Sequence, residues 1–218
     1  MNKKILSLIF VIIFTVFAFS ACKEDEGEPA TQQSDSDSVL IKEDFSFIDG
    51  QIEKAEEAKA VTTLEDFQTI LSAPITKIAS YEGSEDITIN QSDYIDKTVV
   101  INTAGVVSVD STVNSIVLSE AGNGFTANAK VDNIVIKGSD ITADLKSDVG
   151  DVYVEGKNAV VNIHGGISKI LLRNATATVN NLSSESIDIT LVNGTKITLS
   201  KNHTYLIEDN IIVKYSPK

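Results

Sequence analysis

One periodicity constrains this chain more than anything else in it. Between residues 98 and 200, pairs of apolar residues separated by a single residue recur along the sequence: Val99/Ile101, Ile116/Leu118, Ile134/Ile136, Val152/Val154, Ile170/Leu172 and Ile187/Ile189. Their first members are 17, 18, 18, 18 and 17 residues apart. One intervening residue is the alternation of a strand, whose successive side chains point to opposite faces. Further columns keep the same period: Phe125, Ala143, Val161, Val179; then Ala127, Leu145, Ile163, with Asn181 breaking the series; then Val131, Val149, Ile167. Between the columns lie Gly138-Ser139-Asp140, Gly156-Lys157-Asn158 and Asn174-Ala175-Thr176. Such residues tolerate left-handed backbone or bond to it locally, so they mark turns.

A unit of 17–18 residues carrying two or three short strands cannot bury its own apolar face. Stacked copies can, with like residues in line at the strand spacing of about 4.8 Å. The pattern therefore predicts an all-β chain, a single-stranded right-handed parallel β-helix (solenoid) with a short N-terminal capping helix. Six rungs make a rod about 29 Å long. Antiparallel hairpins would not hold one separation across four columns. A left-handed hexapeptide helix needs an aliphatic residue every six positions, and the series Ile116, Gly122, Asn128, Ile134, Asp140, Lys146 fails that test.

A solenoid needs closed ends. Upstream, Thr62-Thr63-Leu64-Glu65 predicts a capping box, with Glu65 three residues after Thr62. Leu64, Phe67, Ile70 and Leu71 follow at helical spacing, and Pro74 ends the helix. Downstream, Tyr205–Ile207 and Ile211–Tyr215 flank Glu208-Asp209-Asn210 and predict a closing hairpin or half-rung. The reading divides the chain into 1–21 leader, 22–38 tether, 39–61 helical lead-in, 62–97 cap and first coil, 98–200 repeats and 201–218 C-terminal cap. Over residues 62–215 the repeat and its helical cap resemble the right-handed β-helices of the pectate-lyase superfamily. The resemblance implies a fold and not an activity.

The first residues predict where the protein works. Lys3 and Lys4 precede an apolar run, Ile5–Phe19, too short to cross a hydrocarbon core of about 30 Å comfortably. This is the make-up of a secretory leader. It ends in Phe19-Ser20-Ala21-Cys22, which resembles the lipobox of bacterial lipoproteins. The resemblance implies cleavage after Ala21 and a diacylglycerol thioether on Cys22, the only cysteine of the chain. Two or more acyl chains hold a protein stably on a membrane where one does not. The next segment, KEDEGEPATQQSDSDS, has no large apolar residue and predicts a disordered acidic tether. Lys23-Glu24-Asp25 resembles the export signal of surface lipoproteins in Bacteroidota. The expected location is thus a bacterial membrane, through the lipid on Cys22, facing the periplasm or the cell surface.

Composition excludes more chemistry than it suggests. Loss of Lys3 and Lys4 with the leader leaves 16 basic and 31 acidic side chains, a net charge of −15. That argues against nucleic acid as a partner, because binding it requires cations that replace phosphate counterions. Two histidines, His164 and His203, are too few for a multi-histidine zinc site, and no cofactor or metal is expected. Lyases of the resembling fold use clustered acids for calcium and a base for the α-proton. Here the only arginine, Arg173, stacks by the 18-residue period on Glu155 and Lys137, which reads as a solvated ladder of alternating charge. Asp144 lies in a polar column with Thr126, Asn162 and Asn180, and His164 beside Gly165-Gly166 reads as an exposed turn residue. No phosphate loop, G-x-S-x-G or H-E-x-x-H occurs. No catalytic residue is expected. The function expected is a non-enzymatic, lipid-anchored envelope protein for binding or adhesion; the alternative is a small polysaccharide lyase or hydrolase on the same fold.

One surface stands out. The residue inside each apolar pair must point outward, and those residues are Val100, Val117, Val135, Tyr153 and Leu171. An apolar stripe of that length marks an interface with a protein, a glycan or a second copy, or a face covered by the chain itself. Val39–Ile48, with Leu40, Phe45, Phe47 and Ile48, is a candidate cover.

Overall fold

The computed structural model describes residues 49–50, 53, 58–120, 124–173, 175–191, 194–208 and 211–217. The leader, Cys22, the acidic tether and Val39–Ile48 lie outside the described residues.

The chain enters the solenoid through helix α1 (Leu64–Ser72). Its N-cap is Thr63, whose hydroxyl accepts from the backbone N–H of Asp66 (3.2 Å) and donates to the Asp66 carboxylate (2.8 Å). The cap pair is thus Thr63/Asp66, one residue later than the expected Thr62/Glu65: both frames place a threonine three residues before an acid. Phe67 and Leu71 are the buried positions, and Phe67 packs against Tyr81 with ring centroids 5.5 Å apart. Ala73, preceding Pro74, is already extended at ψ 120°, as the proline ring requires.

Twelve strands then wind into six coils, each contributing one strand to either of two parallel stacks. The first stack is β1 (Ile78–Gly83), β3 (Ile95–Thr103), β5 (Val113–Leu118), β7 (Val131–Ile136), β9 (Val149–Val154) and β11 (Ile167–Leu172). The second is β2 (Ile87–Ile89), β4 (Val107–Val109), β6 (Phe125–Ala127), β8 (Thr142–Leu145), β10 (Ala159–Ile163) and β12 (Thr176–Asn181). The register matches the sequence columns. Val99, Ile116, Ile134, Val152 and Ile170 are successive partners, as are Phe125, Ala143, Val161 and Val179. All of them are at most 2% exposed. The 17-residue step from Val99 to Ile116 has a local cause: Ile95 pairs with Val113, 18 residues on, but an extra residue in β3 makes Thr98 pair with Ser115.

The regular stack ends one rung earlier than the spacing predicts. Ile187/Ile189 belong to β13 (Ile187–Thr190), which pairs antiparallel with β14 (Lys196–Leu199) instead of extending the first stack. Asn181, the residue that breaks its apolar column, is fully buried, and its amide donates to the carbonyls of Glu185 and Leu199. Those two bonds turn the chain inward, and Ile189, Leu191, Ile197 and Leu199 plug the end of the core. β15 (His203–Glu208) then adds antiparallel to β12, and β16 (Ile211–Pro217) to β15, which is the closing hairpin expected at this end.

Candidate functional site

Three surfaces of the solenoid gather the polar and apolar residues singled out above. The first is the apolar stripe. Val100, Val117, Val135, Tyr153 and Leu171 are consecutive register partners, and they form a hydrophobic cluster separate from the core, as strand alternation requires. They are not a free surface, however: each is between 1% and 7% exposed. At one end of the stripe the Arg173 guanidinium is held by Asp49 (2.7 Å) and by the Glu155 carboxylate. The bond to Asp49, with a smaller contribution from Glu155, raises the pKa of Arg173. The Glu155–Arg173 contact is the rung of the charge ladder expected from the period.

The second surface is a ladder on the outer face of the second stack. Asp144 accepts from the Asn162 amide (2.6 Å), Asn162 from the Asn180 amide (2.7 Å), and Asn180 from the Thr204 hydroxyl (2.6 Å). A carboxylate can only accept, so Asp144 sets the direction of every amide below it.

The third is a hollow of about 550 Å³ where the coils enter β7, β9 and β11. Asp132, Gly150 and Ser168 line it and form one column by the 18-residue period. A Cβ on Gly150 would meet the Asp132 carbonyl oxygen at 2.2 Å, so the coil stacking itself requires glycine. The acids around the hollow are engaged locally. Asp132 pairs with Lys130 (2.7 Å) and accepts from the Tyr94 hydroxyl (3.0 Å). Asp148 accepts from the Gly166 N–H (2.7 Å). Asp151 accepts from the Tyr153 hydroxyl (3.2 Å) and lies 3.7 Å from the Lys169 ammonium. Desolvation, and then the hydrogen bond to Asp132, raise the pKa of Tyr94; the Asp132 bond also raises that of Lys130. The ring of Tyr94 is half-exposed and lines a smaller hollow near Pro74 and Lys97, joined to this one by the bond to Asp132. The columns that line the hollow were visible in the sequence, but not that Tyr94, 38 residues upstream, reaches Asp132.

His164 is exposed in its turn, as expected. Among the described residues no three His, Cys, Asp or Glu side chains group as a metal site. No protein-family model, curated protein or solved structure matches the chain.

Proposed function

We propose that the protein is a lipid-anchored component of a bacterial envelope, held through Cys22, whose solenoid serves binding or adhesion. The observation that carries the reading is the placing of the only cysteine directly behind Ile5–Phe19 and ahead of an acidic spacer and a rod. A coil stack offers long, regularly spaced polar surfaces at little conformational cost, because every side chain in a column is oriented by its neighbours. The hollow at Gly150, whose Asp132 accepts from the hydroxyl of the half-exposed Tyr94, supports a polar ligand with an apolar face, such as a glycan, which an aromatic ring meets by stacking. The residue a lyase would need most, the sole arginine, is engaged by Asp49 and Glu155.

Two measurements test this. Metabolic labelling with an alkynyl fatty acid should mark the native protein and not Cys22→Ser; equal labelling would remove the anchor. Glycan-array binding should weaken in Tyr94→Ala with the β circular dichroism unchanged at the binding temperature. Release of unsaturated product from pectin, alginate or chondroitin would replace the binding reading with catalysis.

A further inference from the structure

We infer that the outward apolar face of the first stack is an intramolecular docking surface, and that its occupant is the lead-in chain between Asp49 and Val61.

The first argument is burial. Val117 is 1% exposed, yet its in-strand neighbours on that face are Ser115 and Ser119, whose side chains are too short to roof a valine. Ser80, Thr98 and Ser115, on the same face, are themselves buried. A sheet face without a layer above it does not reach such values, so chain lies over it.

The second argument is path length. Asp49 is tied to Arg173, just past the end of β11, at one end of the stack. Val61 is tied to the other end: its N–H donates to Ser80 (2.9 Å), and its carbonyl accepts from Glu82 (3.0 Å), in a parallel bridge beside β1. From β11 to Val61 is six strand spacings, about 29 Å. The twelve steps from Asp49 to Val61 cover about 18 Å as helix and about 40 Å fully extended. Asp49, Gly50 and Glu53 are helical, so the chain begins at the compact limit and has no slack for a detour around the solenoid. The direct route is along the stripe.

The third argument is exposure: Ala58 and Ala60 are half-buried while Glu53 and Lys59 are exposed, so this segment turns small apolar residues to the fold and charged ones to solvent. This occupant differs from Val39–Ile48, the cover considered from sequence, because the Asp49–Arg173 tie places Asp49 at the end of the stack.

The chain contains no tryptophan, so Tyr153→Trp in the full chain makes a single reporter in the stripe. Its emission should be blue-shifted and shielded from acrylamide. Adding Ile52→Asp with Ala55→Asp should shift it to the red and raise quenching severalfold with β circular dichroism unchanged. Adding Phe45→Asp with Phe47→Asp should leave it as it was. A blue, shielded reporter in the first double variant, or a red one in the second, overturns the assignment. Limited trypsin digestion of the unmodified protein reads the same point without a variant. Lys42 should be cut well before Lys54, and cleavage of Lys54 as fast as Lys42 overturns the assignment.

Discussion

At the scale of single residues, the coil is held together by positions where one atom decides the outcome. Asp140 and Asn158 sit one above the other at φ 61° and 58°, and the Asn158 amide donates to the Asp140 carboxylate (3.1 Å). Left-handed backbone costs an ordinary L-residue about 1–2 kcal/mol, which Asn and Asp tolerate best and glycine avoids. Asn158→Ala should therefore lower stability by about 1–2 kcal/mol, and Asn158→Gly should lose much less, as read from denaturant midpoints. Tyr94 offers a second test. Its phenol is bound more tightly as the protonated form in the folded state, so the folded pKa lies above the unfolded value near 10. The stabilisation it brings is complete below pH 10 and is lost as pH rises through the folded pKa. Ultraviolet titration of the native protein against Tyr94→Phe should show that the phenol lost in the variant ionises late, and Asp132→Asn should bring it back towards the ordinary range.

At the scale of elements, burial outweighs propensity. Val152 is fully buried between Ile134 and Ile170. Val152→Asp places an unpaired carboxylate in the core and should cost several kcal/mol or prevent folding, measured by thermal melting. Helix α1 is only nine residues long and depends on its cap and on Phe67 and Leu71. Thr63→Ala removes the hydroxyl from Asp66 and should cost about 0.5–2 kcal/mol, while Thr62→Ala should cost almost nothing. That contrast separates the observed cap from the adjacent frame read from sequence. The two frames were indistinguishable there because Thr62-Thr63 and Glu65-Asp66 are both doublets, and only the entry angle of the chain onto β1 selects between them.

At the scale of the whole molecule, a stack of near-identical coils has no reason of its own to stop, so its ends carry the solubility of the rod. The β13–β14 hairpin plugs the core and β15–β16 covers the β12 edge, leaving Ile211, Val213 and Tyr215 partly exposed on the last strand. Truncation after Ser200 should uncover the β12 ladder and Val179, and light scattering should show end-to-end association that the full chain lacks. What the sequence determined by itself is the repeating part. Period, register, inward columns, the charge rung at Glu155–Arg173 and the amide ladder from Asp144 all follow from alternation and an 18-residue step, because stacking makes a residue's neighbours the residues one coil away. Tertiary structure alone decided the departures from that rule. Ile187 and Ile189 alternate like every earlier pair, yet β13 takes β14 as its ladder partner and not β11, where the buried Asn181 amide binds the Leu199 carbonyl. The stripe from Val100 to Leu171 reads as outward and is outward, but alternation names a face and not what lies on it. Cover, closure and the reach of Tyr94 to Asp132 join residues separated by distances other than the repeat, and a period carries no information about those.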